Sequence, residues 1–183
     1  SKNYLSIYAK SFSWAGFFLP KKTYKKCSVL YDFCRSLDDI ADQDLDLVIK
    51  IKQFNKFKDN FLSKNTNNQI INHMRDLIHS CEISEKIVYD LFDGVESDLK
   101  KEVKINSKKE LLIYSYRVAG TVGLMMAKIL NVKRENSLKA AINLGIAMQL
   151  TNIARDVVED SKKNRKYIDS NFESIKNTLM TAD

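Results

Sequence analysis

Residues that break helices are scarce in this chain, which has one proline and five glycines among its 183 residues. Leucine, isoleucine, lysine and glutamate are abundant, so few positions oppose a helix. We therefore expect helices almost throughout and an all-α fold class. The 44% hydrophobic and 29% charged residues are an ordinary balance. One domain spanning residues 1–183 can bury a large core at this length.

Long apolar runs are also missing. The stretch from Phe12 to Pro20 is far shorter than the roughly 18 to 20 residues of a membrane-spanning helix. The three cysteines, Cys27, Cys34 and Cys81, form no Cys-x-x-Cys pair, so the sequence indicates neither a disulfide framework nor a zinc knuckle. A reducing compartment fits this pattern best, and we expect a cytoplasmic protein.

Negatively charged residues are fewer than positively charged ones: 23 Asp and Glu against 30 Lys and Arg leave a net charge of +7. Such a field suits nucleic acid, anionic lipid or a phosphorylated small substrate. Basic and aromatic residues do not alternate as single-stranded nucleic acid would require, so we expect no nucleic-acid partner. Solvated helix faces explain most of the lysines, and peripheral association with the inner face of a membrane is the further expectation.

Apolar residues recur at helical spacing in several segments that turn residues separate. Ser84, with Ile83 before it, has the pattern of a helix N-cap, and Ser107 with Glu110 has that of a capping box. The sequence predicts helices over 4–18, 22–42, 45–62, a short segment ending near 79, 84–101, 107–130 and 135–160.

Polar residues form one stripe of the last predicted helix. Asn152, Asp156 and Asp160 are spaced by four, and apolar residues surround them: Leu150, Ile153, Ala154 and Val157. A polar group turned toward apolar neighbours needs a strong partner such as a cation. The stripe therefore predicts a metal site.

A second acidic stripe lies upstream at Asp38 and Asp42. Two carboxylates four residues apart on a helix can bracket a hard divalent cation, although this spacing also arises by chance. Arg35 lies one turn before Asp38 and Arg155 lies beside Asp156, where guanidinium groups could grip a phosphate oxygen. A helix-surface ion pair is the simpler explanation of Arg35 and Asp38. For both stripes together we favour a metal and diphosphate site.

Four motifs follow one another along the chain: Lys10-Ser11-Phe12 followed by Leu19-Pro20, residues 30–35 (LYDFCR) with 38–42 (DDIAD), residues 114–123 (YSYRVAGTVG) and residues 149–160 (QLTNIARDVVED). In this order they resemble the squalene/phytoene synthase family of head-to-head prenyl diphosphate synthases. The resemblance covers nearly the whole chain, and its C-terminal motifs are most similar to bacterial phytoene synthases. It implies an isoprenoid-synthase-type helical bundle around a central cavity.

The resemblance also implies roles for individual residues. Mg²⁺, or alternatively Mn²⁺, would be bound by Asp38, Asp42, Asn152, Asp156 and Asp160. Catalytic roles would fall to the four aspartates and to Tyr114, near the reacting carbons. Diphosphate contacts would involve Ser11, Tyr31, Arg35, Gln149 and Arg155. Phe12, Val118, Val122, Met126 and Leu144 would line the prenyl tunnel, although core packing would produce the same apolar stripe.

The implied activity is that of a prenyltransferase. Two geranylgeranyl diphosphates would condense through a cyclopropyl intermediate to phytoene with release of diphosphate. We expect no NADPH requirement, since no glycine-rich dinucleotide motif is visible. A squalene-type synthase acting on farnesyl diphosphate is the alternative within the class, because tunnel depth sets chain length. A non-catalytic assembly or scaffold relative is the alternative outside it, and the intact acidic stripes speak against that reading.

Three departures from the family pattern accompany the resemblance. Ala9 occupies a position where the family commonly has serine. Residues 164–169 match the family's Gly-Arg-x-Tyr-Leu-Pro run only in part. The chain stops at Asp183, before the C-terminal helices that close the cavity in the family, so we expect an incomplete domain and an open cavity.

Overall fold

The computed structural model describes residues 19–63, 67–169 and 172–182. It confirms the all-α class, and the predicted helix over 4–18, with Ser11 and Phe12, lies outside the described residues. In chain order the elements are α1 (Lys21–Asp42), α2 (Leu47–Leu62), α3 (Gln69–Ser80), α4 (Glu85–Asp98), β1 (Val103–Lys104), α5 (Lys108–Ser115), a π-helical segment (Tyr116–Gly120), α6 (Thr121–Ile129), α7 (Glu135–Lys162), β2 (Arg165–Lys166) and α8 (Phe172–Ala182).

Local capping explains some of these boundaries. The Ser107 hydroxyl accepts the Glu110 N–H at 3.2 Å, as predicted. The Glu110 carboxylate instead accepts the Asn106 N–H at 2.9 Å, so only half of the predicted capping box forms. Ser84 precedes α4 as predicted, but within the described chain its side chain makes no capping hydrogen bond. The α4 start therefore depends on packing, with Ile83 buried beside it.

A cluster of phenylalanines holds α1 against α2 and α4. The ring of Phe33 lies 5.5, 5.8 and 5.9 Å from the rings of Phe57, Phe61 and Phe92, centroid to centroid. All four side chains are buried, and tilted or edge-on ring pairs of this kind stabilise a core beyond the area that they bury. Because Phe33 lies one turn before the acidic stripe of α1, the cluster fixes where that stripe points.

The α6 and α7 helices approach each other closely along their glycines. A Cβ atom on Gly123 would collide with the Ala141 carbonyl, and one on Gly145 would collide with the Ala119 carbonyl. Only glycine permits this backbone contact. Residues 108–129, which run through α5, the π-helical segment and α6 without a break, are called the α5 to α6 helix. The glycine contacts fix the distance between this helix and the polar stripe of α7. None of the described helices combines the length and apolar character that crossing a bilayer requires.

Two short strands form a parallel pair that sequence periodicity did not predict. Val103 pairs with Arg165 and Lys104 with Lys166. The N–H of Val103 donates to the Asn164 carbonyl at 3.0 Å. Two-residue strands carry no measurable alternation, which explains why they were missed. The pairing brings the segment after α7 back across the end of α4.

Candidate active site

A cavity of about 840 Å³ lies between α1, α4, the α5 to α6 helix and α7. Apolar residues form much of its lining, and acidic residues line one end. The apolar side includes four residues of the predicted prenyl tunnel: Val118, Val122, Met126 and Leu144. The polar end includes Asp38, Asp42, Asp98, Gln149, Asn152, Arg155, Asp156, Asp160, Arg165 and Tyr167, and Tyr114 also lines the cavity.

The two predicted acidic stripes meet across this cavity, although more than a hundred residues separate them in sequence. Asp38 and Asp42 come from the last turns of α1, while Asn152, Asp156 and Asp160 come from α7. On α7, the apolar residues that surround the polar stripe are buried: Leu150, Ile153, Ala154 and Val157. Residues of both stripes therefore line one cavity.

Other predicted residues are not brought to this cavity. Among the described residues, Tyr31 and Arg35 are absent from its lining. The Arg35 Nε lies 2.9 Å from the Asp39 carboxylate, four residues on along α1. The simpler explanation of Arg35, a helix-surface ion pair, thus fits the geometry, with Asp39 as partner in place of Asp38. A diphosphate role for Tyr31 and Arg35 stays a prediction, as it does for Ser11 and Phe12.

The Arg155 guanidinium binds its sequence neighbour in a two-pronged ion pair. Its Nε and Nη2 lie 2.7 and 2.6 Å from the two carboxylate oxygens of Asp156. Such paired contacts are stronger and more directional than single ones. In this conformation the charge of Asp156 is already partly neutralised from its own helix.

Arg165 is a residue of the site that sequence reasoning missed. Its Nη1 donates to the Asp42 carboxylate at 3.1 Å and its Nη2 to the Ala41 carbonyl at 3.4 Å. The side chain is only 15% exposed. Arg165 lies in the 164–169 segment that matches the family pattern only in part, and the β1 and β2 pairing is what carries it to the end of α1.

The carboxylates at the cavity mouth oppose each other's ionisation. Burial, together with the charge of Asp42, raises the pKa of Asp38 to about 7, although the side chain still opens onto the cavity. Burial raises the pKa of Asp160 to about 6, with Arg165 opposing and Asp156 adding to the increase. A cation between such groups relieves this repulsion, because it favours their charged forms.

The donor set suits a hard divalent cation in its chemistry. Carboxylate and amide oxygens are the ligands that Mg²⁺ prefers. Within residues 19–63, 67–169 and 172–182, however, no three His, Cys, Asp or Glu side chains converge as a metal-holding group. Asp42 and Asp156 are instead paired with Arg165 and Arg155. The residues therefore fit the metal by type, and binding it would require these ion pairs to open.

A second missed feature is a hydrogen-bonded cluster of Asp98, Tyr114 and Tyr167. The hydroxyls of Tyr114 and Tyr167 each lie 2.7 Å from one carboxylate oxygen of Asp98. They lie 3.1 Å from each other, and the two rings stack at 4.8 Å. Three contacts need three hydrogens, so protonation of Asp98 completes the ring of hydrogen bonds, whereas ionisation leaves one contact without a hydrogen.

Burial governs the acid-base behaviour of this cluster. It raises the pKa of Asp98, against the opposing effects of Arg165 and the two tyrosine hydroxyls. Burial and the nearby Asp98 charge also hold the pKa of Tyr114 well above its ordinary value. Burial likewise raises the pKa of Tyr167, so both tyrosines stay protonated as donors near neutral pH. Tyr114 was predicted as a site residue from the sequence, whereas Asp98 had no spacing signal. Tyr167 could have been found, because it is the tyrosine of the partial family match at residues 164–169.

The fold and the cavity together define an all-α isoprenoid-synthase class of protein, and comparison with known sequences is consistent with it. Residues 5–170 match the family described as Squalene/phytoene synthase. The chain belongs to this family. It is 29% identical over 181 residues to a 15-cis-phytoene synthase of Pantoea ananas, covering 92% of this chain and 58% of that protein. It is 34% identical over 165 residues to a 4,4'-diapophytoene synthase of Staphylococcus haemolyticus (strain JCSC1435), covering 87% and 58%.

Solved structures show the same fold. A dehydrosqualene synthase in complex with ligand matches with a TM-score of 0.73 and 29% identity, over 95% of this chain and 62% of that one. A squalene synthase of Alicyclobacillus acidocaldarius matches with a TM-score of 0.73 at 18% identity, over 85% and 59%. The chain thus spans less than two thirds of the length of these relatives.

Proposed function

We propose that this chain supplies the active-site cavity of a prenyltransferase that condenses two geranylgeranyl diphosphates head to head to phytoene. The observation that carries the proposal is the meeting of the α1 and α7 acidic stripes at one end of an apolar cavity. A prenyl diphosphate has a matching polarity, with a highly charged head and a long apolar tail. Membership of the squalene/phytoene synthase family supports this reaction class.

The acidic end would receive the diphosphates. Mg²⁺, or Mn²⁺, held by Asp38, Asp42, Asn152, Asp156 and Asp160 would neutralise the leaving diphosphate. Arg155 and Arg165, released from their carboxylate partners, would donate to phosphate oxygens in the forked geometry that guanidinium groups favour. Gln149, one turn before Ile153 on α7, would add an amide donor at the same end.

The apolar wall would protect the carbocation that forms when the carbon–oxygen bond to diphosphate breaks. Val118 and Val122 offer no group that could add to a cation, and together with Met126 they exclude water. The new carbon–carbon bonds would form through a cyclopropyl intermediate. Proton loss from the final cation gives phytoene without a hydride donor, which is why we expect no NADPH requirement. Tyr114 lines the same cavity, with its hydroxyl 2.7 Å from Asp98.

The alternative substrate is farnesyl diphosphate, with a squalene-type product. A 4,4'-diapophytoene synthase is 34% identical to this chain, so the experiment below also tests this substrate. The deciding experiment incubates the chain, extended by its natural continuation, with Mg²⁺ and each labelled prenyl diphosphate separately. A C40 hydrocarbon from the C20 substrate without NADPH supports the proposal. A C30 product moves the assignment to the alternative, and no hydrocarbon from either substrate favours a non-catalytic relative.

Membrane association is part of the proposal, because a C40 hydrocarbon is insoluble in water. The net charge of +7 would draw the protein to anionic lipid, at the inner membrane face. Cosedimentation with vesicles containing phosphatidylglycerol should exceed that with neutral vesicles and should weaken as salt rises. Equal binding to both kinds of vesicle would contradict an electrostatic contribution to membrane binding.

A further inference from the structure

The helix that carries Tyr114 and the apolar wall changes its winding in the middle. Between α5 and α6, residues Tyr116–Gly120 form a π-helical segment, whereas the sequence predicted one uniform helix. The Thr121 N–H bonds to the Tyr116 carbonyl, five residues back. The backbone before and after stays helical, so the chain continues in one direction. A π segment inside an α-helix is rare and is frequently found at functional sites.

Thr121 satisfies the carbonyl that this winding releases. In an α-helix the Arg117 carbonyl would accept the Thr121 N–H. Here the Thr121 hydroxyl donates to the Arg117 carbonyl at 2.8 Å in its place. Thr121 is fully buried, so no bulk water is available to replace that hydrogen bond. The hydroxyl thereby gives this carbonyl a hydrogen-bond partner.

Helix α4 contacts the π segment through two polar pairs and one close backbone approach. The Tyr116 hydroxyl donates to Asp90 at 3.2 Å, and the Arg117 guanidinium lies 3.6 Å from Asp93. At Gly94, an added Cβ would come within 2.8 Å of a Val118 methyl and 2.9 Å of the Arg117 Cβ. Glycine is therefore the residue that leaves room for the wider turn.

The wider turn keeps one wall of the cavity straight. Tyr114, Val118, Val122 and Met126 are spaced by four and all line the cavity. In a regular α-helix each such step overshoots a full turn by about 40°, so the stripe would rotate by about 120° from the first residue to the last. A π segment rotates less per residue, which offsets that drift.

We propose that Thr121 and Gly94 are positioning residues that maintain the π segment, so that Tyr114 reaches Asp98 while Val118 and Val122 face the prenyl chain. This inference rests on the proposed function for its catalytic consequence, whereas its geometric part is independent of activity. Loss of either residue favours regular α-helical winding or shifts the segment outward. Tyr114 then turns away from Asp98.

The geometric test uses ¹³C-tyrosine-labelled protein with its natural continuation. The Cζ resonance of Tyr114 is assigned by its loss in Tyr114→Phe. Thr121→Val, which removes the hydroxyl at nearly constant shape, should move this resonance, and Thr121→Ser, which keeps the hydroxyl, should not. Gly94→Ala should move it as well and serves if Thr121→Val fails to fold. An unmoved resonance in the folded Thr121→Val and Gly94→Ala proteins would overturn the proposal.

The kinetic test uses the same variants with the prenyl diphosphate that the wild type accepts. Thr121→Val should lower kcat by about tenfold to a hundredfold, as small misplacements of reacting groups do, with KM nearly unchanged. Thr121→Ser should stay close to wild type. Wild-type kcat in Thr121→Val would contradict the catalytic consequence. A wild type without any prenyltransferase activity would instead contradict the proposed function. The resonance of Tyr114 would still test whether Thr121 and Gly94 maintain the π segment.

Discussion

The Arg165 guanidinium lies 3.1 Å from the Asp42 carboxylate, a contact between residues that 123 positions separate. This ion pair joins the segment after α7 to the end of α1. It places a positively charged side chain among the carboxylates that line the cavity. Burial raises the pKa of both Asp98 and Asp160, and the same guanidinium opposes that increase. In this conformation Arg165 partly neutralises the Asp42 carboxylate, which the proposed metal would otherwise contact.

Replacing Arg165 by glutamine should shift the pH dependence of activity. Without the guanidinium, the pKa of Asp160 rises above about 6, so more of this carboxyl is protonated near neutral pH. The apparent affinity for Mg²⁺, measured between pH 6 and 9, should fall more steeply toward pH 6 than that of the wild type. Lys166→Gln is the matched control, since Lys166 is exposed and pairs with Asp169. An unchanged pH profile in Arg165→Gln would contradict this role.

Asp156→Asn should abolish turnover while the helices stay intact. The side chain lines the cavity and pairs with Arg155 on the helix surface, so its charge contributes little to the core. We expect a loss of roughly 100-fold or more, as for other single groups that stabilise charge in a transition state. Circular dichroism should match wild type. Glu159→Gln, an exposed change on the same helix, should retain activity, and an active Asp156→Asn enzyme would refute the metal assignment on α7.

The metal-free protein should lose stability as pH rises, through Asp38. Its pKa is about 7 in the folded protein against 3.8 for a free aspartate, so the folded state binds this proton more tightly. The associated stability is present below about pH 4 and is lost as pH rises through 7. The Tm of Asp38→Asn relative to wild type should therefore increase over this range, while Asp32→Asn on the same helix should show no such trend.

Added Mg²⁺ should act in the opposite direction on the same pair of proteins. A ligand that binds the folded state raises its Tm, and the wild type keeps the carboxylate that Asp38→Asn has lost. At pH 7.5 the wild type should gain more stability from Mg²⁺ than the variant does. An equal gain in both proteins would argue against Asp38 as a ligand.

Tyr114 and Tyr167 should be energetically coupled through Asp98. Each phenylalanine substitution removes one donor from a buried carboxyl group and should cost about 1 to 3 kcal/mol of unfolding free energy. Because both hydroxyls contact Asp98 and each other, the double variant should deviate from additivity by about 0.5 kcal/mol or more. Urea denaturation of the four proteins measures the cycle. Simple additivity would show that the three groups act separately.

The exposed part of the cavity wall should prevent catalysis by the 183-residue chain alone. Leu144 and Met148 line the cavity, yet they are 63% and 48% exposed. Water that enters there would quench a carbocation. We expect no hydrocarbon from this chain and phytoene from the chain with its natural continuation, by mass spectrometry of the extracted products. Hydrocarbon from the shorter chain would show that this opening does no harm.

Sequence alone determined the features that depend on neighbours within a few turns. The helices over 22–42 and 135–160 were predicted close to their observed bounds, because their apolar periodicity is long and continuous. The same periodicity predicted that Asp38 shares a helix face with Asp42, and Asp156 with Asp160, and all four line the cavity. The Ser107 cap was equally local. Four motifs in order then identified the family, which the comparisons confirm.

Tertiary structure decided everything that depends on residues distant in sequence. Arg165 and Tyr167 reach the cavity only because a two-residue strand pairs with β1, and Asp98 becomes an acceptor only where both tyrosines converge. The sequence did not indicate the π segment, since threonine also occurs in regular helices and Gly94 lies in a different helix, α4. Contacts of this kind are set by packing between elements, whereas periodicity reports only which face of one element is apolar.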